Sequence, residues 1–185
     1  MNKENLNYFS ESEKKKMKEF ADLRTRLLLP LLRILDKLSV TPNMISFAAF
    51  IPIFGFVYFA DKNIYYALIF VIPHILLDGV DGALARYQGK SSNKGAFVDI
   101  CVDQGGIVIA VLAMIYFSLI DPFWGALYAV SYIVMILFVV MLNYLEQSVK
   151  YIIRSKYFFY ALLLVDAYFK TDSITPFLII LSVYM

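Results

Sequence analysis

His74-Ile75-Leu76-Leu77-Asp78-Gly79-Val80-Asp81-Gly82-Ala83-Leu84-Ala85-Arg86 and, after eight further residues, Gly95-Ala96-Phe97-Val98-Asp99-Ile100-Cys101-Val102-Asp103-Gln104-Gly105-Gly106 set four aspartates inside two apolar blocks. Asp78 and Asp81 are three apart, Asp99 and Asp103 four apart, so each pair shares one face of a helix. The intervening loop centres near residue 90. A symmetric hairpin then brings Asp81 opposite Asp99 and Asp78 opposite Asp103. Asp78 lies eight residues from Arg86, or about 12 Å along a helix. The expected site is a pocket opening on the Arg86 side, about halfway into one leaflet.

The blocks around these aspartates are long enough to cross a bilayer. Of 185 residues, 61% are hydrophobic, and the mean hydropathy is +0.68. A crossing needs about 20 apolar residues. Spans are expected at 42–60, 64–86, 95–120, 122–144 and 152–169. A sixth block runs from Ser173 to Met185, and its 13 residues are short for a crossing. It is either tilted and capped by neighbours or lacks a natural tail. The fold expected is an all-α integral membrane protein of six transmembrane helices.

Charge sets the orientation. Nine basic residues lie in 1–40, three more in the connection after the second span (Arg86, Lys90, Lys94), and three in the connection after the fourth (Lys150, Arg154, Lys156). Only Lys62 and Lys170 fall on the other side. The positive-inside rule puts the N-terminus and the aspartate pocket in the cytoplasm, with the chain in the cell membrane as a multi-pass protein. No apolar run near Met1 resembles a signal peptide. One Cys and one His exclude a disulfide framework and a Cys/His zinc site. Nothing in the pattern points to nucleic acid.

Residues 1–40 form a unit distinct from the catalytic stretch 41–185. Ser10-x-x-Glu13 reads as a capping box. Phe20, Leu23, Leu27, Leu31, Ile34, Leu35 and Leu38 then recur at helical spacing, giving an amphipathic helix that lies in the membrane interface. It is either an anchor alone or also the rim of a polar site. Thr41 and Pro42 suit the N-cap and first turn of the next helix, while Pro52 and Pro73 should kink their spans. No internal repeat is visible, which speaks against the inverted-repeat transporters.

Four crowded carboxylates cannot all stay charged without cations. All-oxygen ligands favour hard divalent ions, Mg²⁺ above all, with Mn²⁺ or Ca²⁺ as substitutes. Two Mg²⁺ would balance four carboxylates and leave positive field for a pyrophosphate. The glycines and alanines between the acids let a large ligand approach the backbone.

The pattern D-x2-D-G-x2-A-R-x8-G-x3-D-x3-D marks the CDP-alcohol phosphotransferase family. Asp78, Asp81, Gly82, Ala85, Arg86, Gly95, Asp99 and Asp103 match it at all eight fixed positions over 26 residues. The chain thus resembles that family over essentially its whole length. The resemblance implies transfer of a phosphatidyl group from a CDP-linked lipid to a small polar alcohol, release of CMP, and a homodimer in membrane lipid. It makes Asp78, Asp81, Asp99 and Asp103 metal ligands and Asp103 also the general base on the acceptor hydroxyl. It makes Gly82, Ala85 and Gly95 cytidine-pocket positions, with Asp81 beside the nucleotide and Arg86 holding phosphate or nucleotide. Asn43 also resembles a family position that supports the nucleotide.

Other readings stand beside these. The aspartates could be a structural polar network or the ion pathway of a divalent-cation transporter. His74 is read chiefly as a packing residue, Cys101 as inert, and Gly105 and Gly106 as points of close helix packing. Glu146 and Asp166 fall near span ends, solvated or paired. Lys150, Arg154 and Lys156 are either snorkelling charges or ligands for a phosphate on the acceptor. The second view leans toward glycerol 3-phosphate or inositol phosphate, with unphosphorylated serine as the alternative.

Overall fold

The computed structural model describes residues 11–145, 147 and 155–184, with side chains for 19–145, 147 and 155–182. Among the described residues all regular structure is helical. The helices are α1 (Glu11–Leu27), α2 (Leu29–Lys37), α3 (Pro42–Ala48), α4 (Phe50–Ala60), α5 (Ile64–Tyr87), α6 (Asn93–Tyr116), α7 (Pro122–Tyr144), α8 (Lys156–Phe169) and α9 (Ile174–Tyr184). Four stretches are long and apolar enough to cross a membrane: Pro42–Ala60, Ile64–Tyr87, Asn93–Tyr116 and Pro122–Tyr144. These reproduce the first four expected spans closely. The helices at the fifth and sixth positions are 14 and 11 residues long. At 1.5 Å per residue they reach about 21 and 17 Å, against a hydrocarbon core of about 30 Å.

Local chemistry explains the breaks. The single amphipathic helix expected up to Leu38 is interrupted at Leu28, because Pro30 sits at the start of α2 and has no N–H to give. Thr41 caps α3 as expected, accepting from the Met44 N–H at 3.4 Å, with Pro42 in the first turn. The interruption at Ala49 between α3 and α4 comes three residues before Pro52, whose ring cannot bond back to Ala48. Pro73 lies inside α5 without ending it.

Four helices end on a left-handed residue, at Lys170 (φ 55) after α8 and at Ser39 (φ 56), Gly89 (φ 64) and Ser118 (φ 56). After Ser39, Gly89 and Ser118 the following N–H reaches back to a carbonyl five residues earlier: Val40 to Leu35, Lys90 to Ala85, Leu119 to Met114. This closure satisfies carbonyls that a helix end leaves open. It also stops α6 at Tyr116, four residues short of the expected boundary at 120.

By contact the chain forms two units. The first comprises Met1–Ala49, Ile75–Asp103 and Leu137–Ile152. Its core is Leu32, Ile45, Val80, Ala83 and Leu84, with Leu28, Leu35, Val40 and Leu77 packed around it. The side chain of Gln88 ties the end of α5 to the α2–α3 connection, donating to Asp36 at 2.9 Å and to the Val40 carbonyl at 3.0 Å. Phe20, Leu23, Leu27, Leu31, Ile34 and Leu38 are all exposed. Leu35, expected on the same stripe, instead packs against the core.

The second unit comprises Phe50–His74, Gln104–Ile136 and Ile153–Met185. Alanines at 60, 67, 110, 113 and 129 are buried, as expected where helices meet within lipid and close approach replaces the hydrophobic effect. Tyr132, Tyr128 and Phe159 form a stack with centroids 5.8 and 5.6 Å apart. The Tyr128 hydroxyl meets Ser155 at 3.0 Å. Asp166 accepts from the Ser173 and Ile174 N–H groups, both at 2.8 Å, and so caps α9. It is paired, one of the two states expected of it; Glu146 lies outside the described residues.

His74 is 2% exposed, and its ring edge lies where a Cβ on Gly106 would come within 2.9 Å. The glycine is needed for this close approach. Gly106→Ala should therefore lower stability by about 1–3 kcal/mol through overpacking. Thermal unfolding in detergent checks this; an unchanged midpoint would mean the imidazole yields freely.

Candidate active site

The α5–α6 hairpin is built to hold polar groups at depth. Gly89 turns the chain, and Ser92 caps α6 by accepting from the Gly95 N–H at 3.1 Å. The two helices then bring the four aspartates together. Asp81 and Asp99 hydrogen-bond to each other across the hairpin, and Asp99 lies within charge range of Asp78 and Asp103 as well. Asp81 and Asp103 are 3% and 4% exposed. Asp78 and Asp99 are half-buried.

A cavity of about 560 Å³ opens beside them, lined by α3, the end of α5, the connecting loop and the start of α6. Of the sequence candidates, Asn43, Asp81, Gly82, Ala85, Arg86, Gly95 and Asp99 line it, whereas Asp78 and Asp103 do not. Asn43 and Gly95 are neighbours: a Cβ on Gly95 would sit 3.9 Å from Asn43 Oδ1. A Cβ on Gly82 would be in ordinary contact with Arg86 Nη1 at 3.5 Å and Arg24 Nη2 at 3.6 Å.

Several residues of the site were not singled out in the sequence. Ser46, 3% exposed, donates to Asp81 Oδ2. Its place three residues after Asn43, on the same face of α3, was the available signal. Thr25 accepts from Arg86 Nε at 3.2 Å, and the Ala21 carbonyl accepts from Arg86 Nη2 at 3.3 Å. Arg24 lies against Gly79 and Gly82. The α1 helix therefore touches the motif itself. Lys90 and Lys94 line the mouth of the cavity.

Of the three acceptor candidates, Lys150 and Arg154 lie outside the described residues. Lys156 begins α8 in the second unit, is 6% exposed and holds its ammonium 5.0 Å from the Tyr157 ring. That burial departs from a freely snorkelling charge. Cys101 is exposed.

The donor chemistry fits a hard divalent cation. Four carboxylates interact, and two of them face a cavity with no competing nitrogen or sulfur ligand. Among the described residues no three such side chains lie closely enough together to form a metal cage.

An acid cluster, a neighbouring arginine and an adjoining cavity thus meet on apolar helices. The chain belongs to the CDP-alcohol phosphatidyltransferase family, whose model matches residues 39–185. Members of this family generally depend on a divalent metal. It is 36% identical over 86 residues to an archaetidylinositol phosphate synthase of Pyrococcus horikoshii, covering 44% of this chain and 46% of that protein. It is 35% identical over 79 residues to an uncharacterized protein of Aquifex aeolicus, covering 42% and 40%. It is 36% identical over 72 residues to the inner membrane protein YnjF of Escherichia coli, covering 38% and 34%. Each match spans less than half the length of these curated relatives. No solved structure matches the chain.

Proposed function

We propose that this chain transfers a phosphatidyl group from a CDP-linked lipid, of the CDP-diacylglycerol type, to a small polar alcohol and releases CMP. The observation that carries the reading is one cavity lined by Asn43, Asp81, Gly82, Ala85, Arg86, Gly95 and Asp99. It combines acidic ligands, a guanidinium and side-chain-free backbone, which suits a nucleotide diphosphate. Asp78, Asp81, Asp99 and Asp103 would hold two Mg²⁺. When bound, these ions neutralise the acids and stabilise charge on the phosphate and on departing CMP. Asp103 takes the proton from the acceptor hydroxyl. The hydroxyl oxygen forms a new P–O bond to the lipid-linked phosphorus as the bond to CMP breaks. Arg86, braced by Thr25 and the Ala21 carbonyl, holds a phosphate oxygen.

The acceptor is taken to be phosphorylated, inositol phosphate first. The name of the Pyrococcus relative supports this, as does the basic set Lys150, Arg154 and Lys156. Six crossings are proposed, with α8 and α9 belonging to the fifth and sixth and α1–α2 lying in the interface against the end of α5. The exposed apolar residues of α1 and α2 and the charge asymmetry support that arrangement, with the site facing the cytoplasm. The homodimer rests on family resemblance alone.

Purified protein given CDP-diacylglycerol, Mg²⁺ and a panel of alcohols should release CMP fastest with a phosphorylated one. Exhaustive chelation should cut release by about 100-fold or more, with recovery on adding Mg²⁺. Undiminished release after chelation would sink the metal assignment. No release with any alcohol would sink the transferase reading.

A further inference from the structure

The N-terminal helix places a second guanidinium beside Arg86. A Cβ built on Gly82 would lie 3.5 Å from Arg86 Nη1 and 3.6 Å from Arg24 Nη2. One built on Gly79 would lie 3.4 Å from Arg24 Nη1. Arg24 thus spans two side-chain-free positions, three apart on one face of α5, and meets Arg86 over Gly82. Gly82 and Arg86 line the cavity; Arg24 does not, and it meets the cavity wall at Gly82.

This arrangement is costly without an anion. Two guanidiniums that converge on one glycine repel each other, and partial burial strengthens the repulsion. Arg86 has two hydrogen-bond acceptors on α1 and lies within charge range of Asp22 and Asp81, which offset part of this repulsion. Arg24 is less well served: its Nε is buried and has no hydrogen-bond partner among the described residues. Guanidinium nitrogens are donors only, so the ligand that completes the pair must accept hydrogen bonds and carry negative charge. A phosphate group meets both needs, because a planar fork binds two of its oxygens at once.

We infer that Arg24, on α1, binds a phosphate group of a substrate jointly with Arg86. The inference rests on the nucleotide-binding reading above and extends the site to a helix that lies outside the motif. The phosphate comes either from the diphosphate of the donor or from a phosphorylated acceptor.

The test compares Arg24→Gln and Arg24→Lys with wild type in detergent with Mg²⁺, by calorimetry. The probes are CDP, cytidine, and inorganic phosphate added to CDP-saturated protein. If the phosphate is the donor's, Arg24→Gln should weaken CDP by about 10- to 100-fold and leave cytidine nearly unchanged. If it is the acceptor's, CDP should hold while inorganic phosphate binding falls by a similar factor. In both cases Arg24→Lys, which keeps the charge and loses the fork, should fall between. The inference is overturned if every probe binds Arg24→Gln as it binds wild type. It is equally overturned if cytidine and CDP weaken together, since Arg24 would then only seat α1 on α5. Failure of wild-type protein to bind CDP at all would overturn the proposed function itself, and this inference with it.

Discussion

Asp103→Asn is expected to reduce CMP release by about 10²- to 10⁴-fold, the range for loss of a positioned general base, while CDP binding with Mg²⁺ changes only a few-fold. The substitution keeps the shape of the side chain and removes its ability to take a proton. Asp103 is buried and within charge range of Asp99, yet it does not line the cavity assigned to the nucleotide, as Asp81 and Asp99 do. A base acting on the acceptor need not face the donor pocket, so chemistry and donor binding should separate here. Single-turnover CMP release and calorimetric CDP binding are the measurements. A parallel loss of both would make Asp103 a metal ligand first. Unchanged turnover would remove it from the mechanism.

The elements legible in the sequence were those governed by periodicity or by unambiguous local chemistry. Spans at 64–86 and 122–144 recur almost unchanged as α5 and α7, since a mainly apolar run in lipid must satisfy its backbone polar groups within a helix. The pairing of Asp81 with Asp99 followed from loop symmetry alone. Helix ends were less legible where serine replaced glycine. Ser39 and Ser118 hold the left-handed position that Gly89 holds after α5, and nothing in their identity marks a stop. The break at Leu28 was readable from Pro30, but the apolar stripe running through it concealed the proline.

The polar partners of the site were legible only in part, because each depends on tertiary contact. Ser46 is one of many serines until α3 packs beside α5 and its hydroxyl reaches Asp81. Arg24 is one of nine basic residues in the first forty. Only the missing side chains at Gly79 and Gly82 distinguish it, and those glycines lie more than fifty residues along the chain. The glycines that leave room for Arg24 lie between and beside the aspartates of α5.

Asp99→Asn should raise stability without metal and blunt the stabilisation that metal gives. In metal-free protein Asp99 is the carboxylate on which the other three converge, through a hydrogen bond to Asp81 and charge interactions with Asp78 and Asp103. Replacing it with a neutral amide removes a like charge from a partly buried cluster and supplies a donor for Asp81. The metal-free melting temperature should therefore rise. The same change withdraws one ligand, so Mg²⁺ binds more weakly and stabilises less. Saturation of a site at about 100 times its Kd adds about 2.7 kcal/mol of stability, and a tenfold weaker site at the same concentration adds about 1.4. The Mg²⁺-induced rise in melting temperature should accordingly shrink to about half or less, and CDP affinity should fall with it. Thermal unfolding of wild type and Asp99→Asn, each with chelator and with Mg²⁺, gives the four values required. A variant less stable than wild type without metal, and stabilised by Mg²⁺ to the same extent, would show that Asp99 supports the helix pair and not the ion. A rise without metal and a diminished response with it would mark a site whose charges are arranged for its ligands at the expense of the empty fold.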